Sequence, residues 1–149
     1  MTSDLEFMRS ALAEARAADQ AGEVPIGAVV VFEGRIVSTG QNSVLRRLDP
    51  TAHAEIVAMR EAAHAIGNYR LLGCTLYCTL EPCAMCAGAL IHARVGRLVY
   101  AAPDPKAGAC GSVLSVLNHP RLNHQMPVEQ GVLGEESTEL LRNFFRDRR

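Results

Sequence analysis

Two short groups of residues constrain this chain more than any other feature: His53-Ala54-Glu55, and further on Pro82-Cys83-Ala84-Met85-Cys86. Imidazole nitrogen and thiolate sulfur are the ligands that zinc takes, so a fold that uses both groups must bring them to one point. Each group opens a stretch with helical character. Cysteines three apart lie on one helical face, proline is at home in the first turn, and the positive end of the helix stabilises thiolates. His53, Cys83 and Cys86 are therefore the expected ligands of one zinc ion per chain. Three protein ligands leave the fourth tetrahedral position for water, the arrangement of a catalytic rather than a structural site. Glu55 is too near His53 in sequence to share its helical face, but at a helix start its side chain can lie beside the ion and move protons.

The alternative is a closed structural zinc site completed by Cys74, Cys78 or another histidine. Cys74 and Cys78 flank or occupy a predicted strand, where a small buried thiol is the commoner use. Cys110 sits in a loop and is expected to pack rather than ligate, although it can approach the site. His64, His92, His119 and His124 lack comparable partner spacing. Five cysteines, two of them in a Cys-x-x-Cys pair, do not suit a fully paired secreted disulfide framework.

Periodicity places these groups within an alternating order of elements. Leu5, Met8, Leu12 and Ala15 recur at helical spacing between Ser3 and Ala21, with Gly22 as the stop. Ile26 to Phe32 and Arg35 to Thr39 read as a hairpin about Glu33-Gly34, and Asn42 to Pro50 as a polar loop. A helix over 52–66 follows, then a strand over 75–80, a helix over 82–92 and a strand over 95–101. Pro103 to Gly111 carries two prolines and two glycines and reads as a loop over a site. Beyond it are expected a short helix around 112–118, a strand over 128–133 and a final helix from Glu135. Strands alternating with helices indicate an α/β layered fold, with the site at strand ends and helix starts. At 149 residues, 48% hydrophobic and 21% charged, the chain is the size of one domain, 1–149. It shows no basic leader, and no apolar run approaches the roughly 20 residues that cross a bilayer, so an intracellular, cytoplasmic protein without membrane attachment is expected.

The H-A-E and P-C-x-x-C groups together are the signature of the cytidine deaminase superfamily. Base-acting zinc deaminases, tRNA adenosine deaminases among them, carry this signature. The chain resembles the bacterial tRNA-specific adenosine deaminases more closely, through Glu23-Val24-Pro25-Ile26-Gly27-Ala28-Val29, Asp49-Pro50-Thr51-Ala52-His53-Ala54-Glu55-Ile56, Asn68-Tyr69-Arg70-Leu71, Thr79-Leu80-Glu81-Pro82-Cys83 with Ala87-Gly88-Ala89, and Asn143-Phe144-Phe145-Arg146. The resemblance implies a three-layer α/β/α fold with a central five-stranded mixed sheet, a homodimer, and formation of inosine at the wobble position of a tRNA anticodon stem-loop. It implies zinc ligation by His53, Cys83 and Cys86 and proton transfer by Glu55. Asn42 matches the family asparagine that contacts the target nucleoside, and Val24 and Ile26 match part of the pocket wall. The family loop Ala-Arg-Asp-x-Lys-Thr-Gly-Ala stands here as Ala102-Pro103-Asp104-Pro105-Lys106-Ala107-Gly108-Ala109. Asp104 and Lys106 are kept, and two prolines enter.

The formal net charge of −1 offers no overall attraction to nucleic acid, so RNA affinity must come from local groups. Lys106, Arg142, Arg146, Arg148 and Arg149 are the candidates for phosphate contact, with Phe145 stacking on a base and Phe144 in the core. An apolar surface about Met85 and Leu90 is the expected dimer contact. A deaminase of a free base or nucleoside, such as cytosine, cytidine or guanine, and a zinc-stabilised RNA-binding module without catalysis are the competing readings. Glu55 argues against the second, since a purely structural site has no use for a carboxylate that is not a ligand.

Overall fold

The computed structural model describes residues 3–148, so Arg149 lies outside the described residues. Ser3 caps α1 (Asp4–Gln20) by accepting the Glu6 N–H, and the helix buries Phe7, Met8, Ala11, Leu12 and Ala15 along one stripe. The hairpin of β1 (Gly27–Phe32) and β2 (Arg35–Gln41) turns through Glu33 and Gly34, both at positive φ, as a two-residue loop between right-twisted strands requires. After a single turn, α2 (Val44–Arg47), come α3 (Ala54–Ile66), β3 (Thr75–Leu80), α4 (Ala84–His92), β4 (Arg97–Ala102), β5 (Val128–Gln130) and α5 (Gly134–Arg146).

The strands form one mixed sheet in the order β2-β1-β3-β4-β5. The pairs β2–β1 and β1–β3 are antiparallel, and β3–β4 and β4–β5 are parallel. Alternate residues of the central strands point to opposite faces. Val29, Val31, Tyr77, Val99 and Ala101 pack with Phe7, Met8 and Ala11 of α1. Ala28, Val30, Leu76, Cys78, Leu98 and Tyr100 pack with Ile56, Ala58, Met59 and Leu90 of α3 and α4. Each fully buried valine or leucine of these layers contributes roughly 1.5–3 kcal/mol. With α5 packed against β4 on the α1 side, the chain has the expected three layers around a five-stranded mixed sheet.

Several expectations change at the element level. The loop 42–50 contains the turn α2. The helix expected over 112–118 is absent: this segment bends, and Cys110 and Ser115 form an isolated antiparallel bridge. The Val116 amide, which a helix starting at Ser112 would turn to the Ser112 carbonyl, donates to Ala109 instead, and the amides of Val113 and Leu114 donate back to the Gly108 carbonyl. Asn118 at φ 61 ends the segment. β5 stops at Gln130 because Gly131, at φ 97, turns the chain into α5. Leu90 is fully buried, in the core rather than on a dimer surface, whereas Met85 is 37% exposed. Cys74 and Cys78 are buried in the core as expected.

Candidate active site

The starts of α3 and α4 meet at the same end of the sheet. His53 and Cys83 are the N-cap residues of the two helices, each with extended backbone, and Cys86 is one turn into α4. His53 Nδ1 lies 3.6 Å from Cys83 Sγ and 3.4 Å from Cys86 Sγ. Tetrahedral angles with Zn–S of about 2.3 Å and Zn–N of about 2.0 Å put a sulfur and a nitrogen ligand about 3.5 Å apart, so the three side chains fit a zinc ion. Among the described residues these three form the one group of histidine, cysteine and acidic side chains close enough to hold a metal. Cys83 has the charge state that ligation needs. The Cys86 thiol and the His53 ring hold Cys83 down to about 3 as a thiolate. That thiolate in turn pushes His53 up. Cys86 is pushed up by the Cys83 side chain and by burial, and its thiol would lose its proton on binding a divalent ion.

Glu55 stands in the first turn of α3 and is 4% exposed. Burial pushes its carboxyl up, opposed in part by its own backbone amide and by His53. It lies beside Cys86 yet is not one of the three clustered ligand candidates. A buried carboxyl with a raised pKa next to a metal-binding group has the properties of a proton carrier. Cys110 stays outside the cluster, with its thiol pushed up to about 12 by burial. His124 contacts the Val95 carbonyl, and His64, His92 and His119 are exposed.

Asn42 is 6% exposed and hangs from the end of β2, its Nδ2 donating to the Val24 carbonyl at 3.3 Å. Its Oδ1 is buried and takes no hydrogen bond from the described residues. Val24, Ile26, Asp104, Lys106 and Phe145 converge on one cavity of about 410 Å³, together with Leu80 and Pro103. Phe145 is 52% exposed and stacks edge-on against the buried Phe144. Arg146 lies in the adjoining groove with Arg142 and pairs with Asp147. Arg148 is committed elsewhere: its guanidinium covers the Phe144 ring at 3.6 Å and meets Asp19 of α1, so it ties α5 down.

Pro105 suits the conformation of the 103–111 loop. Asp104 Oδ1 accepts the amides of Lys106 and Ala107, and the Asp104 carbonyl accepts that of Gly108. Pro105 therefore sits at the second position of a turn, where its fixed φ helps and its missing N–H is not needed.

Two buried glutamates to which sequence reasoning attached no role hold the loops beside the site. Glu23, fully buried, accepts the amides of Leu45 and Arg46 and the Arg46 Nε. Arg46 also donates to the Asn42 carbonyl at 2.9 Å. Glu81 binds the loop after β4 in the same way; burial pushes its carboxyl up, but the bonds from Ser112, Asp104 and Cys110 together hold it below the usual range. The available signal was a lone acid inside an otherwise apolar stretch next to a turn.

Residues 1–102 match the cytidine and deoxycytidylate deaminase zinc-binding region. The chain is 50% identical over 147 residues to the tRNA-specific adenosine deaminase of Haemophilus influenzae, covering 98% of this chain and 85% of that protein. A solved structure from a study of A-to-I editing by tRNA:A34 deaminases at the wobble position of transfer RNA superposes with a TM-score of 0.88 at 47% identity, covering 91% and 98% of the two chains. The guanine deaminase from Nitrosomonas europaea superposes with a TM-score of 0.84 at 28% identity, covering 97% and 85%.

Proposed function

The chain belongs to the zinc-binding cytidine and deoxycytidylate deaminase family, and within it to the tRNA-specific adenosine deaminases, and from that membership we propose that it hydrolyses adenosine to inosine at the wobble position of a tRNA anticodon loop. The observation that carries the chemistry is Glu55: a buried carboxyl beside the His53, Cys83 and Cys86 cluster that is not itself a member of it. One zinc ion per chain, held by those three residues, supplies the Lewis acid that makes water nucleophilic near neutral pH. Glu55 takes one proton from the attacking water and delivers it to adenine N1 as the C6–O bond forms; it then takes the remaining proton of the C6 hydroxyl and passes it to the amine as the C6–N bond breaks, leaving the C6 carbonyl of inosine and free ammonia. A backbone amide at the start of α4 stabilises the developing oxygen charge.

Asn42 turns its unmet acceptor to the target nucleoside. The cavity lined by Val24, Ile26, Asp104, Lys106 and Phe145 takes neighbouring nucleotides of the loop, with Arg146 at its edge for a phosphate. An unstacked loop base enters a pocket at lower cost than one in a duplex. The whole chain, 1–149, acts as a single deaminase domain in the cytoplasm, and no described helix is long and apolar enough to cross a membrane. It works as a homodimer through the outer side of α4, where Met85, Ile91, Tyr69 and Leu122 leave apolar surface open.

Inosine formation in an adenosine-containing anticodon stem-loop, compared with turnover of free adenosine, cytidine and guanine, tests the assignment. Turnover confined to the stem-loop is expected. Equal or faster turnover of a free base or nucleoside would replace it with a small-molecule deaminase.

A further inference from the structure

Glu81 has no part in the chemistry above, yet it is among the most firmly bound side chains in the molecule. It follows β3, two residues before Cys83, and is 2% exposed. A carboxylate so placed is unfavourable unless its oxygens are filled. Oε1 accepts the Asp104 amide at 3.0 Å and the Ser112 hydroxyl; Oε2 accepts the amides of Cys110 at 2.9 Å and Ser112 at 3.2 Å. All four donors come from the 103–112 loop. Gly108 packs its Cα directly on the carboxylate, where a Cβ would overlap both oxygens. The adjacent Pro82 carbonyl accepts the Ala109 amide at 2.8 Å. One short segment thus anchors the loop at Glu81 and carries a candidate metal ligand at Cys83.

We propose that Glu81 is a positioning residue for RNA binding, whose carboxylate gathers the 103–112 loop and so holds Asp104 and Lys106 on the wall of the cavity in register with Cys83. The choice of RNA as the affected ligand rests on the proposed function; the anchoring itself does not. Four donors converge on two oxygens, so an amide in place of the carboxylate turns an N–H₂ group against at least one backbone N–H in either orientation. Glu81→Gln therefore loosens the loop while keeping the shape of the side chain. Gly108→Ala removes no hydrogen-bonding group; it acts by displacing the carboxylate.

Lys106 is the single lysine of the chain, so a lysine-specific endoproteinase reports loop opening by one cut. In both variants, cleavage after Lys106 is expected to be about tenfold faster than in the parent, and the KM for an anticodon stem-loop about tenfold higher, the size of effect of one lost charge-assisted hydrogen bond. The kcat should stay within about twofold, and zinc content should equal that of the parent, since neither variant touches the reacting atoms. Gly108→Ala decides the matter if Glu81→Gln does not fold. Unchanged cleavage and KM in a folded variant overturn the proposal. So does a fall in kcat with loss of zinc, which would make Glu81 a support of Cys83 alone. If the parent does not deaminate the stem-loop, the proposed function fails, and the cleavage comparison still decides whether Glu81 anchors the loop.

Discussion

Gly40 on β2 lies so close to Ala58 on α3 that a Cβ added to it would sit 2.6 Å from the Ala58 amide nitrogen. The contact seats α3 against the sheet edge, and α3 begins with His53 and Glu55 at its N-terminus. Ser38, two residues earlier on the strand, donates to the Ala58 carbonyl at 2.7 Å and is part of the same seat. Gly40→Ala should push the helix off the strand and lower stability by about 1–3 kcal/mol, as overpacking of a tight core does. Urea denaturation measures this, and zinc content should fall as His53 moves. Parent-like stability would show that the strand and helix separate without strain.

Glu55→Gln should retain zinc and fold while turnover drops by about 10²–10⁴-fold, the usual contribution of a positioned acid–base group. Metal analysis and single-turnover inosine formation provide the two readouts. Turnover within tenfold of the parent would assign proton transfer to another group.

Cys83→Ala and Cys86→Ala each remove a sulfur from the cluster about His53 Nδ1. Both should lose zinc and activity, and chelation of the parent should abolish activity reversibly. Full zinc occupancy in both variants would mean that the ligands lie elsewhere.

Phe145→Ala removes an exposed ring from the cavity wall without disturbing the core, which holds Phe144 instead. Stem-loop binding should weaken by about 1–3 kcal/mol, as for one lost base stack. Binding of parent and variant alike should weaken with added salt if Lys106 and Arg146 meet phosphates as proposed. A variant that binds as the parent does would remove Phe145 from the RNA surface.

Asp4 joins the first turn of α1 to the sheet. It accepts two bonds from Arg97 and one from the Tyr77 hydroxyl, and Arg97 also binds Glu129. Arg97 holds the Asp4 carboxyl below its ordinary 3.8, against the opposing effect of burial. A carboxyl lowered on folding contributes stability that is complete above its unfolded value and is lost as pH falls through the folded one. Asp4→Asn should thus be less stable than the parent at neutral pH, and the difference should shrink below about pH 4. Denaturation curves at neutral and acid pH test this, and a difference that does not depend on pH would contradict it.

What the sequence determined by itself is the chemistry and the order of the elements. His53, Cys83 and Cys86 were legible because ligand type and spacing carry the signal locally, and period 2 against period 3.6 separated the central strands from α1, α3 and α4. Matching stretches outside the metal residues identified the layered fold and the family. The tertiary structure alone decided how the loops are held. No local pattern shows that Glu23 captures Leu45 and Arg46, or that Glu81 captures Cys110 and Ser112. These bonds join residues more than twenty positions apart, and their strength comes from burying a charge that only the assembled sheet removes from water. The same holds for Leu90 and Arg148, which sequence reasoning placed on functional surfaces. Which side of a short helix faces the sheet, and which arginine finds a ring and an aspartate, are settled by packing between elements rather than by the residues themselves.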